Sequence, residues 1–176
     1  MTDGVVRENA ITFRALSRTD FPALIRWRHA AHVARWFPDS PKTVEEAEAR
    51  YGRRIDGKSP THMHVVEVDG QSIGYMQYYC VRDYPEYLES VREPDAAGID
   101  FLIGEKRYVG RGLGAKLLRA YIEQIILPAE HNISKIVSSP DPENQRSIRA
   151  LEKAGFVQVR TIEVEGRRER LCVLDL

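Results

Sequence analysis

The spacing of apolar residues changes period several times along the chain, and each change predicts an element. Ile11 to Leu16 alternates apolar and polar residues, the period of a half-buried strand. From Thr19-Asp20 the period lengthens, and Phe21, Leu24, Ile25 and Trp27 share one helical face. A short second helix is expected over His29 to Trp36, stopped before Pro38. Thr43 with Glu46 three residues later forms a capping-box pattern and predicts a helix to about Ile55, closed by Gly57 and Pro60. His64 to Val68 and Ser72 to Val81 read as two strands around Asp69-Gly70, a strong two-residue hairpin signal. A long polar stretch, Arg82 to Ala97, receives no element, and Gly98 to Gly104 is a compact apolar strand. Leu113 to Leu127 is the clearest helix, with Leu113, Leu117, Leu118, Tyr121, Ile122, Ile125 and Ile126 on one face. Ile133 to Ser138 is another strand, and Asn144 to Ala154 a helix ended by Gly155. Phe156 to Val164 and Arg170 to Leu174 form a closing hairpin around Glu165-Gly166.

This order, with no repeat and no low-complexity linker, predicts an α/β (α+β) fold: a central mixed sheet with helices on both faces, over residues 1–176 as a single domain. Composition agrees, since 43% of the 176 residues are hydrophobic and 30% charged, enough apolar material for one core. Lys plus Arg number 26 and Asp plus Glu 26, so the basic excess of a nucleic-acid binder is missing. No stretch approaches the ~20 consecutive apolar residues of a membrane span. Met1 to Asn9 is polar and lacks a signal-peptide core. Cys80 and Cys172 lie in apolar, strand-like surroundings and read as reduced buried thiols. Together these favour a cytoplasmic protein, and with no heptad or announced edge strand, a monomer or weak homodimer. Without CxxC or HExxH, no metal site is expected.

The candidate chemistry begins at Tyr108-Val109-Gly110-Arg111-Gly112-Leu113-Gly114-Ala115, between the GIDFLIG strand and the clearest helix. Alternate glycines allow close backbone approach, and the N–H groups opening the helix suit a phosphate. The spacing G-x-G-x-G departs from the dinucleotide fingerprint, and the Gly-Lys-Ser/Thr of a P-loop is absent. Alone, the run is equally a tight strand-to-helix turn. Some thirty residues later comes Asn144-Gln-Arg-Ser-Ile-Arg-Ala-Leu-Glu-Lys-Ala-Gly155-Phe156. The two motifs together strongly resemble the GNAT acetyltransferase superfamily, over essentially the whole chain.

The resemblance implies a mostly antiparallel sheet whose central strands splay, with acetyl-CoA in the gap. It places the coenzyme pyrophosphate on Val109, Gly110, Arg111, Gly112, Leu113, Gly114 and Ala115. It gives Asn144 a hydrogen bond to the pantetheine arm. It makes Asp100, Phe101, Leu102 and Ile103 the splaying strand, with a backbone N–H near Leu102 for the oxyanion. Val109 stands where the family usually has Gln or Arg. Leu151 stands where many members carry a Tyr general acid.

Within the superfamily the chain looks closest to aminoglycoside 6′-N-acetyltransferases, through Val33-Ala-Arg-Trp36-Phe37, Ala49-Arg-Tyr51, Ile73-Gly-Tyr-Met-Gln77-Tyr78 and Gly98-Ile-Asp100. That likeness implies a cationic acceptor whose cleft includes Trp36, Tyr51, Gln77, Asp83, Asp100 and Ser139. Trp36 and Tyr51 read equally well as core aromatics. The segment from Arg82 to Asp95 carries five acids and two arginines, a wall able to concentrate a polycation or simply a solvated loop. Asp100 stands in an apolar strand, where a carboxylate is costly to bury without work to do. It is the first choice to hold the ammonium and accept its proton. The aminoglycoside enzymes have an acid where Ser139 stands, and here an acid appears two residues later. Asp141 is therefore a second catalytic candidate, although Asp141-Pro142 is also a good helix cap and first turn. Pro140-Asp141-Pro142-x-Asn144 also resembles siderophore-type lysine N-acyltransferases. Those favour His where this chain has Asp100. An acetyltransferase of a peptide amine and a non-catalytic acetyl-CoA sensor remain alternatives.

Overall fold

Two hairpins shape the sheet, and both turn on residue pairs with left-handed backbone: Asp69-Gly70 (φ 50° and 75°) and Glu165-Gly166 (φ 49° and 75°). Positive φ at both central residues gives a turn whose twist matches that of its strands. The computed structural model describes residues 10–176, so the reading of Met1 to Asn9 lies outside the described residues. The elements are β1 (Ile11–Ala15), α1 (Phe21–His29), α2 (Ala31–Ala34), α3 (Val44–Ile55), β2 (His62–Val68), β3 (Gln71–Cys80) and α4 (Pro85–Val91). There follow β4 (Ala96–Ile103), α5 (Leu113–Tyr121), α6 (Leu127–Ala129), β5 (Lys135–Ser138), α7 (Gln145–Ala154), β6 (Val157–Val164) and β7 (Arg167–Asp175).

The strands form one seven-stranded mixed sheet in the order β1-β2-β3-β4-β5-β7-β6. Only β4 and β5 run parallel, and they pair over just Ala96–Gly98 against Lys135–Val137. Beyond Gly98, β4 stays paired with β3 to Ile103 while β5 diverges. The sheet therefore splays at its centre, as the fold expectation had it. Side chains alternate faces along a strand. One face packs Met76, Ile99 and Ile136 under α5 and α7. The other packs Val65, Tyr75 and Leu102 under α1 to α3, and Val137, Leu171 and Val173 under α4.

Half of the capping box at Thr43 is formed: Glu46 N–H donates to Thr43 Oγ1 at 3.2 Å, while the Glu46 carboxylate accepts from Lys42 N–H at 2.7 Å, and the helix runs to Ile55. Several boundaries differ from the sequence reading: α2 is shorter than His29 to Trp36, β2 starts at His62 and β5 at Lys135. The polar stretch from Arg82 to Ala97 contains α4, with Pro85 in its first turn, and it ends on Arg92 in a left-handed conformation. Its apolar residues Tyr87, Leu88 and Val91 pack on the sheet, a short stripe that the surrounding acids conceal. β4 begins at Ala96, two residues early. The clearest helix changes winding at Ile122–Ile126, a π-helical stretch, before α6. The wider turn keeps Tyr121, Ile122 and Ile126 all buried.

Candidate active site

The splay opens a cleft of about 930 Å³ that runs from the start of α5, along the free side of β4, to the β6–β7 hairpin. Its size is that of a small-molecule site. One half is built mainly from backbone. Gly110 (φ 81°) and Gly112 (φ 71°) adopt a conformation that a side chain disfavours, and a Cβ at either would project into open space. Gly112 caps α5 without a side-chain hydrogen bond, so the N–H groups of the first turn face the cleft. Gly114 does a different job: a Cβ there would lie 3.1 Å from Ala150 Cβ, so it lets α5 approach α7. Val109, Leu113 and Ala115 also line the cleft, whereas the Arg111 side chain is exposed outside it. Across from the loop, Asn144 caps α7, its Oδ1 accepting from Ser147 N–H at 3.2 Å. The exposed Arg146, Arg149 and Lys153 of α7 line the same half. Helix N–H groups and cations together suit an extended ligand carrying phosphates, as coenzyme A does.

The middle of the cleft is the open side of β4. Gly104 N–H donates to Ile73 O at 2.8 Å. Alternation along the antiparallel pair then points the backbone groups of Leu102 at β3, and those of Phe101 and Ile103 into the gap. The Ile103 carbonyl agrees, since it meets His32 Nε2 at 2.9 Å. The N–H expected near Leu102 therefore belongs to its neighbours.

The other half converges from separate elements. Asp100, on the α1–α4 face of β4, is deeply set yet keeps a path to solvent through the cleft. Burial pushes its carboxyl above the ordinary range, while Gln77 and the more distant Arg54 and Arg28 pull it down. Gln77 Nε2 donates to Asp100 Oδ2 at 2.8 Å. Gly98 makes room beside Asp100 for the Tyr79 ring, which a Cβ would meet at 2.5 Å. Ser139 Oγ lies 2.9 Å from Tyr87 Oη and donates to Glu169 Oε2. Burial, with a contribution from the Asp100 charge, raises the Glu169 carboxyl to about 7. Trp36 and Phe37 provide an apolar flank, with the Arg35 guanidinium 4.2 Å from the Trp36 ring centre.

Most residues singled out from the sequence come together here, but several do not. Gln77 stands behind Asp100 as its hydrogen-bond donor and does not line the cleft itself. Tyr51 is buried in the core under α1 to α3, and its hydroxyl has no hydrogen-bond partner among the described residues. Asp83 is exposed in the turn before α4 and does not line the cleft. None of the residues from Arg82 to Asp95 lines it; the segment touches the site only through Tyr87, whose hydroxyl meets Ser139 from behind. Asp141 is exposed at the rim and does not cap α7. Its Oδ1 accepts from Glu143 N–H at 2.8 Å and its carbonyl from Asn144 N–H at 2.9 Å, a turn that passes the cap to Asn144. Leu151 is buried among apolar neighbours, so no hydroxyl enters from that position.

Glu169 is the residue that sequence reasoning missed. The reading began the last strand at Arg170, whereas β7 begins at Arg167, and the Arg170 N–H bond to Pro140 O (2.8 Å) brings Glu169 beside Ser139. Its signal was an acid in phase with Leu171 and Val173 on a buried strand face. A carboxyl group thus stands beside Ser139, brought there by another strand. Among the described residues, no group of three or more His, Cys, Asp or Glu is arranged to hold a metal.

A helix start with free N–H groups, an open strand edge and a deeply set carboxylate along one cleft are the features of an acetyl-CoA-dependent acetyltransferase. Residues 17–164 match the Acetyltransferase (GNAT) domain model, and the chain belongs to that family. It is 29% identical over 157 residues to an aminoglycoside N(6′)-acetyltransferase type 1 of Klebsiella pneumoniae, covering 88% of this chain and 77% of that one. An N-hydroxyputrescine acetyltransferase of Acinetobacter baumannii is 27% identical over 146 residues, covering 80% and 67%. Among solved structures, aminoglycoside acetyltransferase AAC(6′)-Ib in complex with coenzyme A and kanamycin superposes with a TM-score of 0.83. It is 28% identical, with 94% of this chain and 95% of that chain covered.

Proposed function

We propose that this acetyltransferase acts on the 6′-amino group of aminoglycosides, by direct attack of the amine on acetyl-CoA within a ternary complex. The observation that carries the reading is the pairing of Asp100 with Glu169 in the acceptor half, two carboxyl groups beside an aromatic flank. Such a pocket suits an amino sugar bearing several ammonium groups. The aminoglycoside relatives support the same acceptor.

In this reading the phosphates lie on residues 109–115 and the arm runs past Asn144 along β4. Asp100 holds the acceptor ammonium, orients it and takes its proton directly or through water. The freed amine attacks the thioester carbonyl, and one of the N–H groups that open into the gap, that of Phe101 or of Ile103, receives the oxyanion. Trp36 packs on a sugar ring. Glu169, with Ser139 and the rim carboxylate of Asp141, holds further amino groups. The leaving thiol has an acidity near that of free Cys, roughly 8.5, so it can depart as thiolate without a side-chain acid. Free, buried Cys80 and Cys172 suit a reducing compartment, and the proposal extends to the cytoplasm and to a monomer or weak homodimer.

A second reading, acetylation of a shorter diamine, is favoured by the N-hydroxyputrescine relative and by Pro140-Asp141-Pro142. Thiol release from acetyl-CoA with kanamycin, putrescine or lysine separates the two. Rapid release with kanamycin and mass addition at its 6′-amine is expected; release with putrescine alone would move the assignment to the diamine.

A further inference from the structure

α3 sends one charged side chain toward the acceptor site that the reaction as described does not use. Arg54 Nη1 donates to Gln77 Oε1 at 2.9 Å, and Gln77 Nε2 donates to Asp100 Oδ2 at 2.8 Å. A guanidinium donates only, and an ionised carboxylate accepts only. The Gln77 amide is therefore locked with its oxygen toward Arg54 and its NH₂ toward Asp100. Cation, amide dipole and carboxylate line up in one direction, and each hydrogen bond polarises the next. Gln77 stands directly opposite Asp100 in the β3–β4 register, so its backbone supports the alignment. The Tyr51 ring, 5.4 Å from the guanidinium carbon, flanks Arg54.

The second cation behind the site is differently engaged. Arg28, buried on α1, gives its Nη1 to Tyr75 Oη at 2.7 Å and its Nε to Ser40 Oγ at 2.9 Å. Its fork ties α1 to β3 and to the loop that carries the aromatic flank, and it acts on Asp100 only through space. Arg54 alone reaches the carboxylate through a chain of hydrogen bonds.

Resting on the acetyl-transfer reading, we propose that Arg54 is a positioning residue: through Gln77 it fixes the rotamer of Asp100 and supplies the positive charge behind it. Burial drives the Asp100 carboxyl toward its neutral form, and the chain from Arg54 opposes that drive. The groups that act on Asp100, or on which it acts, come from every side: Arg28 (α1), Arg54 (α3), Tyr75, Gln77 and Tyr79 (β3), Tyr87 (α4), Tyr121 (α5) and Glu169 (β7). Arg54 is only half-buried and lies in the last turn of α3, so its removal tests the link without hollowing the core.

The test uses Arg54→Met, Gln77→Met and the double variant in the full chain, with Arg54→Lys as the conservative change and Arg53→Met as the control. Two quantities are read: the ¹³C carboxyl titration of Asp100 in the free protein, and kcat/KM against pH. Arg54→Met and Gln77→Met are each expected to move the Asp100 titration upward by about half to one pH unit. The acid limb of kcat/KM should move with it, a loss of about three- to tenfold at a fixed pH on that limb. The double variant should lose clearly less than the sum of the two singles, because the hydrogen bonds act in series while the Arg54 charge also acts through space. Arg54→Lys should recover part of the shift, Arg53→Met should show none, and acetyl-CoA affinity should stay constant. An unmoved titration in either single variant, or additive effects in the double, overturns the proposal. Wild-type protein that transfers acetyl to no amine would instead sink the functional reading, and the titration in the free protein would still decide the role of Arg54.

Discussion

The two halves of the cleft are made in different ways. The donor half comes from two runs of neighbouring residues, 109–115 and 144–153, and works largely through backbone N–H groups and helix ends. The acceptor half takes Trp36 from beyond α2, Asp100 from β4 with Gln77 of β3 behind it, Ser139 from the end of β5 and Glu169 from β7. Their charges differ as well. Arg146, Arg149 and Lys153 flank the donor half, whereas in the acceptor half the carboxyl groups of Asp100 and Glu169 stand among Arg35, Arg167 and Arg168. A backbone site is written in consecutive glycines and a helix start. A side-chain site exists only where strands from distant parts of the chain meet.

The sharpest separation of the halves is Asp100→Asn. Turnover should drop by about a hundredfold to ten-thousandfold, the span of a lost general base, while calorimetry finds acetyl-CoA affinity nearly unchanged. Equal loss of both would mean the halves are not independent. Next in size is Gly112→Val, which forces a branched side chain into left-handed backbone (φ 71°) at the start of α5. The conformational penalty, about 1–2 kcal/mol, should weaken acetyl-CoA binding by about tenfold. An unaltered dissociation constant would remove residues 109–115 from the donor half.

Glu169→Gln should have a smaller effect and fall on the acceptor alone. KM for an acceptor with several amino groups is expected to rise about three- to tenfold, the worth of one partly screened charged hydrogen bond. It also carries a stability signature. The folded protein holds the Glu169 proton up to about pH 7, whereas the unfolded chain releases it at the ordinary value near 4.5. Between those limits the native state binds more protons, so this group makes stability fall as pH rises. Chemical denaturation at several pH values should show that slope diminished in Glu169→Gln. Smallest of all should be Tyr51→Phe, which removes a buried hydroxyl without a partner among the described residues. Turnover should hold and the melting temperature stay level or rise; a large loss of activity would return Tyr51 to the acceptor half.

Legibility in the sequence follows the same division. Hairpins at Asp69-Gly70 and Glu165-Gly166, the Thr43 cap and the left-handed Gly155 after α7 are local features, decided by a few adjacent residues. Asp100 was legible because a carboxylate interrupts an apolar strand. α4 was hidden because its acidic residues outnumber the Tyr87, Leu88 and Val91 stripe that seats it. Tyr51 and Asp83 went the other way. The same residue types can face a cleft, a core or solvent, and only packing chooses among them. Asp141-Pro142 carried a sound cap pattern, yet the turn through Glu143 handed the cap to Asn144, three residues on.

The sequence by itself determined the order of elements, the glycine-rich entry to α5, the capped α7 and the lone acid of β4, because each depends on neighbours within a turn or a strand. Tertiary structure alone decided where β5 leaves β4, which N–H groups face the gap, and that Glu169, Ser139, Tyr87, Gln77 and Arg54 assemble around Asp100. The physical reason is that hydrogen bonds and burial act over a few ångströms in space, and residues 54, 77, 100, 139 and 169 become neighbours only once the sheet has formed.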